Sequence, residues 1–193
     1  RRTSDPVFFF YIYPDWYAEV VLLVSRQGRL QEITLVLQVN RDDFGGYSWD
    51  IVSAFGNLLE MSNLKTDSLI LATLDSVRPP VRDYEHFFSP VSHGIDFTNI
   101  DQLFANYRNA DSYLYPGKRT FELQKLVSLI VKKEIKFVQV MKIRYHLLQV
   151  EGFILMLEQF NRRHWNNGWL ISNILPTSNA DKLMYKSTLL RLP

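Results

Sequence analysis

The sequence contains no cysteine, so a disulfide framework, a thiolate nucleophile and a cysteine-based zinc site are excluded. None of its asparagines begins an Asn-X-Ser/Thr glycosylation sequon. No apolar run approaches the roughly 18 residues that a membrane-spanning helix needs. These absences favour an intracellular protein, cytoplasmic or nuclear, without a membrane span. The chain also begins with Arg1 rather than Met, which favours a fragment or a processed product.

The common signatures of catalysis and cofactor binding are missing as well. There is no Gly-x-Ser-x-Gly segment for a nucleophile elbow, no Gly-x-Gly-x-x-Gly segment for a dinucleotide and no Walker loop for a nucleotide phosphate. The sequence therefore predicts no cofactor, and a non-enzymatic protein is favoured over an enzyme.

Material for a large core is plentiful. Hydrophobic residues make up 47% of the 193 residues, with 13 Phe, 10 Tyr and 4 Trp, whereas disordered chains have few aromatic residues. We expect one globular domain spanning residues 1–193, with a long irregular segment at 75–97 that carries three of the chain's prolines.

Charge is distributed unevenly along the chain. Residues 1–100 hold eight basic and thirteen acidic residues, a net charge of −5, whereas residues 101–193 hold fourteen and seven, a net charge of +7. The asymmetry can mean that the two halves attract each other within one fold. The alternative is a basic face for an acidic partner or for nucleic acid.

In the first half, hydrophobic periodicity predicts more strands than helices. Residues 30–40 alternate apolar and polar side chains with a period of two, and residues 26–29 form a turn, so a hairpin with the preceding strand is expected. A helix is expected where Ile51, Phe55 and Leu58 form a stripe with a 3.6-residue period, with Ser48 as its N-cap. The predicted strands are 7–13, 18–25, 30–40 and 68–74, and the predicted helix is 48–61.

In the second half, residues 135–147 are ambiguous because either face of the alternating pattern could be buried. We interpret 135–145 as a strand and 148–162 as a helix, with one long helix as the competing interpretation. Thr120 is a candidate N-cap. The remaining predictions are helices from 98 or 99 to 107 and from 120 to 133, a strand at 169–175, and at most one short element after 177.

Together these elements predict an α+β fold. We expect an N-terminal antiparallel sheet of three or four strands covered by helices, followed by further strand–helix units in the C-terminal half.

A group of acidic and histidine side chains lies in the irregular segment. A metal site needs three or four such ligands to converge on one ion, and the His86-x6-His93 spacing fits no ligand template. We therefore predict that these residues bind no metal. They are Asp83, Glu85, His86, His93 and Asp96.

A nuclease-like pattern is a third possibility. Metal-dependent nucleases place an acid near a Glu-x-Lys pair on a strand, where carboxylates hold Mg²⁺ and the lysine orients water. Glu134-Ile135-Lys136 has this form, and Asp111 is the candidate upstream acid. A predicted helix separates the two, which weakens the hypothesis.

The remaining candidate is a basic surface in the second half, interleaved with aromatic residues. Single-strand-binding proteins pair phosphate-contacting Lys and Arg with stacking aromatic side chains. Lys132-Lys133 and Arg162-Arg163 also lie at predicted helix ends, where cations offset the negative pole of the helix. The candidate nucleic-acid-binding residues are Lys132, Lys133, Lys136, Lys142, Arg144, Arg162 and Arg163.

The leading functional hypothesis is a non-catalytic interaction or scaffold domain of a larger intracellular protein or complex, with a protein partner. Nucleic-acid binding through the basic second half is the alternative, and a metal-dependent nuclease or hydrolase comes third.

Overall fold

The computed structural model describes residues 15–41, 46–60, 87–89, 99–117, 119–163 and 167–192. Six strands form one antiparallel sheet in the order β3-β2-β1-β4-β5-β6. The strands are β1 Trp16–Arg26, β2 Arg29–Arg41, β3 Tyr47–Phe55, β4 Lys136–Leu147, β5 Phe153–Phe160 and β6 Gly168–Pro176. The helices are α1 Gln102–Ala105, the 3-10 helix η1 Tyr107–Tyr113, α2 Phe121–Val131 and α3 Asn179–Thr188.

Helices cover both faces of the sheet. On the first face, Leu103 of α1, Tyr113 of η1 and Leu126 of α2 join a cluster with the inward side chains of β1 and β2, such as Val20 and Leu35. On the second face, Tyr185 of α3 packs with side chains of the same strands that point the other way. Side-chain alternation along a strand explains why one sheet supplies both clusters.

The predicted α+β architecture is wrong, because the sheet is larger than three or four strands and takes β4, β5 and β6 from the C-terminal half. No separate strand–helix unit forms there among the described residues. The reason is that β4 pairs directly with β1 along almost its whole length, from Lys136 opposite Ser25 to Leu147 opposite Trp16. A pairing between residues more than 100 positions apart leaves no local signal in a single sequence.

The predicted helix at 48–61 is also wrong, because residues 47–55 form β3, paired with β2. Both faces of β3 are buried, so its apolar residues show no period of two and imitate a helical stripe. Ser48 does not cap a helix. Its hydroxyl donates a hydrogen bond to Asp50 Oδ1 at 2.6 Å, and Asn40 Nδ2 donates to the other carboxylate oxygen at 2.9 Å.

The predicted helix at 148–162 is a strand as well. Gly152 turns the chain with a φ of 75°, and β5 then pairs with both β4 and β6. The composition of Phe153–Phe160 suits a helix, but pairing on both sides outweighs that weak preference.

Several predictions are confirmed. The hairpin of β1 and β2 turns at Gln27 and Gly28, whose φ values are both positive, as a tight two-residue hairpin turn requires. The Thr120 side chain caps α2 by accepting a hydrogen bond from Leu123 N. The strand interpretation of 135–145, the strand at 169–175 and the single short element after 177 are confirmed by β4, β6 and α3.

Other predictions lie outside the described residues. These are the strands at 7–13 and 68–74 and the irregular segment at 75–97 apart from residues 87–89. In the part of the chain that the structure describes, no helix is long and apolar enough to cross a membrane.

Candidate nucleic-acid interface

Antiparallel pairing brings basic residues from two distant segments to one end of the sheet. Arg26 and Arg29 flank the β1–β2 turn, and Lys136 at the start of β4 lies opposite Ser25, the neighbour of Arg26. Lys132 and Lys133 lie in the connection between α2 and β4. We call Arg26, Arg29, Lys132, Lys133 and Lys136 the basic end.

The basic end is largely uncompensated. Among the described residues, the one ion pair made by the basic end joins Arg26 to Glu134 at 2.7 Å. Arg29, Lys132, Lys133 and Lys136 are exposed, and none forms an ion pair with a described residue. Four exposed cations that pair with no described carboxylate create a local positive potential.

Lys133 is held in an unusual backbone conformation. Its φ is 57°, in the left-handed region that usually favours glycine at a helix C-terminus. Lys133 N donates to Ile130 O and Glu134 N to Leu129 O, both at 2.9 Å, which is the Schellman pattern of a helix end. This motif directs the Lys133 ammonium over the ring of Tyr107, with Nζ 3.9 Å from the ring centroid.

The other predicted binding residues are placed differently. Lys142 Nζ lies 3.2 Å from Glu158 Oε1, and Arg144 pairs with both Glu158 and Glu19. Their charges are therefore offset within the sheet. Arg162 lies over the ring of Phe160 at 4.4 Å, and Arg162 and Arg163 follow the end of β5.

β5 runs toward the same end of the sheet but stops short of it. Arg144 lies opposite Glu158, so the end of β5 is level with the middle of β4 rather than with Lys136. The structure therefore groups Lys132, Lys133 and Lys136 and leaves Arg162 and Arg163 as a flanking pair.

A polar network lies on the second face, formed by Glu19, Arg144, His146, Glu158 and Tyr185. His146 is 2% exposed. Its Nε2 lies 2.8 Å from Glu19 Oε2 and its Nδ1 lies 2.7 Å from the Tyr185 hydroxyl. Glu–His–Tyr chains of this kind orient a histidine, but here α3 covers the imidazole and both ring nitrogens are engaged.

The titration behaviour of the polar network follows from burial and pairing. Burial alone would raise the pKa of Glu19, but the hydrogen bond and charge of His146, with the charge of Arg144, hold it below its usual value. The pKa of Glu158 is likewise lowered, because bonding to Arg144 and Lys142 outweighs its desolvation. Burial raises the pKa of Tyr185 to about 12.

The nuclease-like residues engage different partners. Asp111 Oδ1 accepts a hydrogen bond from Arg119 at 2.9 Å, whereas Glu134 pairs with Arg26. Among the described residues, no three His, Asp or Glu side chains are grouped so that they could hold a metal ion. The five residues that the sequence predicts to bind no metal lie outside the described residues. They are Asp83, Glu85, His86, His93 and Asp96.

Sequence reasoning missed Arg26, Arg29 and the pair Tyr107–Arg108. The signal for the arginines was present, since they flank a predicted hairpin turn and must share one sheet end with whatever strand pairs with β1. No sequence signal indicated Tyr107, because its contact with Lys133 depends on how η1 packs beside the end of α2.

Comparison with known proteins identifies no relative of this chain. No protein family, curated protein or solved structure matches the chain.

Proposed function

We propose that this chain is a non-catalytic interaction domain and that its basic end binds the phosphate backbone of a single-stranded nucleic acid. The observation that carries the proposal is the convergence of four exposed cations at one sheet end, where none of them pairs with a described carboxylate. They are Arg29, Lys132, Lys133 and Lys136. Neutralising phosphates with such cations releases counterions, and that release drives non-specific binding.

A single strand is favoured over a duplex because aromatic rings accompany the cations. Tyr107 lies beneath Lys133, and Phe160 lies beneath Arg162. Unstacked bases can pack on such rings while the backbone follows the positive surface. A duplex offers its phosphates but keeps its bases stacked.

The polar network supports the non-catalytic part of the proposal. A general acid or base must reach the proton that it transfers. His146 is closed in by Tyr185 and Glu19, and its exposure of 2% leaves no access from solvent. We assign the network to holding α3 against the sheet.

The test is a fluorescence-anisotropy titration with single-stranded RNA, single-stranded DNA and duplex DNA of about 12 nucleotides, at several salt concentrations. With four phosphate contacts, the slope of log affinity against log salt is expected to be about −3 for single strands. The double variant Lys132→Gln/Lys136→Gln should weaken binding to all sequences and flatten the slope by about 1.4. Absence of binding at low salt would refute the proposal.

The second candidate is a protein partner, and the observation that favours it is the outer edge of β6. The strand pairs only with β5 among the described residues and contains no charged residue. Ile171 and Ile174 are 54% and 52% exposed. An uncharged, exposed edge strand is a template for strand addition by a partner segment.

Site-specific photocrosslinking in cells tests this second candidate. A photoreactive residue at Ile171 should give a defined crosslinked protein, and Ile174→Lys should abolish that product. The control position is Leu30, which is also apolar and 61% exposed but lies on β2, an internal strand separated from β6 by β1, β4 and β5. Equal products from both positions, or a product that Ile174→Lys leaves unchanged, would reject β6 as a docking edge.

A further inference from the structure

A cleft lies beside Tyr107, where α1 is followed by η1. It has a volume of about 290 Å³ and is lined by residues 105–109, among them Asn106, Tyr107 and Arg108. Lys133 links this cleft to the basic end, because Lys133 belongs to the basic end and its ammonium lies over the Tyr107 ring.

Two cations converge on one phenol in this place. Arg108 Cζ lies 5.7 Å from the centroid of the Tyr107 ring and Lys133 Nζ lies 3.9 Å from it. Neither cation forms an ion pair with a described carboxylate. Both cations therefore lie within 6 Å of one ring centroid, so an anion bound beside this ring is attracted by both.

We propose that Tyr107, Arg108 and Lys133 form a binding site for a terminal phosphate group of a nucleic acid. This assignment rests on the proposed nucleic-acid binding of the basic end. It adds that the bound strand places its phosphorylated end at Tyr107.

Charge selects the terminal phosphate over an internal one. A phosphate monoester carries about −1.5 to −2 charges at pH 7, whereas an internal phosphodiester carries one. Two cations beside one ring match the charge of the monoester. A guanidinium fork and an ammonium suit phosphate oxygens, and the Tyr107 hydroxyl adds a further donor.

The electrostatics of Tyr107 agree with this role. Hydrogen bonding to Arg108 and to Lys133, together with their charges, lowers the pKa of the phenol below its usual value. A field that favours the phenolate also favours any anion at the same position.

The backbone of Lys133 determines where its ammonium lies and offers a way to test the site. A lysine in the left-handed region at a helix end is less favourable than glycine there, because its Cβ is crowded. The side chain that this conformation presents is the ammonium over Tyr107.

The experiment compares three oligonucleotides of one sequence, with a 5′-phosphate, a 3′-phosphate or hydroxyl groups at both ends. The protein is expected to bind one phosphorylated form about tenfold more tightly than the hydroxyl form. Lys133→Gly should remove this preference while raising the melting temperature, since glycine relieves the left-handed backbone. Arg108→Gln should also remove it.

The matched control is Arg29→Gln, at the same sheet end but remote in sequence from Tyr107. It should weaken all three oligonucleotides equally and keep their ratio. Equal affinity of the unsubstituted protein for the three forms, or a preference that Lys133→Gly leaves intact, would overturn the site.

A second measurement separates this site from the proposed function. Inorganic phosphate, titrated while the NMR signals of Tyr107 are followed, should shift those signals in the unsubstituted protein and not in Lys133→Gly. If no oligonucleotide binds and phosphate still shifts Tyr107, the proposed function fails and the site belongs to a small phosphate ester. If phosphate shifts nothing, the site itself is refuted.

Discussion

The two edge strands of the sheet differ in almost every respect except composition. Seven of the nine residues of β3 are buried, whereas none of the nine residues of β6 is. The outer edge of β3 is covered, because Trp49 N donates to Phe88 O at 2.9 Å and Tyr115 N donates to Ile51 O at 3.0 Å. The outer edge of β6 has no strand partner among the described residues.

Both strands are rich in apolar residues, so the difference comes from what packs on them. α1, η1 and α2 cover the first face over β1, β2 and β3, whereas β5 and β6 extend beyond most of that cover. We infer that β1, β2 and β3 with their helices supply most of the stability, and that β5 and β6 contribute less.

The largest expected effect contrasts Leu35 of β2 with Ile171 of β6. Leu35 is fully buried, so Leu35→Ala should lower the free energy of unfolding by about 2–5 kcal/mol. Ile171 is 54% exposed, so Ile171→Ala should change it by less than about 0.5 kcal/mol. Urea denaturation of both variants measures the contrast. Equal losses would mean that β6 is buried in the folded protein, and they would contradict the inferred difference in stability between the two parts of the sheet.

A smaller effect is expected in the polar network that links β1, β4 and β5. Arg144 pairs with Glu19 and Glu158, and its side chain is 28% exposed. Arg144→Met leaves two partly buried carboxylates without their shared cation, which should cost about 1–3 kcal/mol at neutral pH. Lys142→Met is the control, since Lys142 also contacts Glu158 but is 46% exposed, and it should cost less than about 0.5 kcal/mol. A loss no larger in Arg144→Met than in the control would contradict this role.

The same network predicts a pH dependence. The pKa values of Glu19 and Glu158 lie below their ordinary value of 4.5 in the folded protein. Their contribution is therefore complete above that value and is lost as the pH falls through the lower folded values. Thermal melts between pH 7 and pH 3 should show this loss, and Glu19→Gln/Glu158→Gln should reduce it. A variant as acid-sensitive as the unsubstituted protein would place the effect elsewhere.

The sequence predicted those parts of the fold that local patterns determine. The alternation of β2, the turn at Gln27 and Gly28 and the Thr120 cap each depend on neighbouring residues. β3 was mistaken for a helix because strands buried on both faces lose their period of two. β5 was predicted to be a helix, because its own propensity favours one. Its pairing with β4 and β6 makes it a strand instead.

In the candidate site too, the features set by neighbouring residues were predictable and those set by long-range strand pairing were not. The basic residues of 132–136 were predicted from sequence because they are neighbours. Their grouping with Arg29 requires the pairing of β1 with β4, and the offsetting of Arg144 by Glu19 requires the same pairing. Residues that are distant in sequence could not be assigned to one surface before the sheet order was known.

The most direct test uses the two arginines that end β2. Arg29 and Arg41 are both exposed and occupy the same strand, but only Arg29 lies at the basic end. Arg29→Gln should weaken binding of a single-stranded oligonucleotide and reduce the salt slope by about 0.7, whereas Arg41→Gln should leave both unchanged. Equal effects of the two substitutions, or an effect of Arg41→Gln alone, would contradict the assignment of nucleic-acid binding to the basic end.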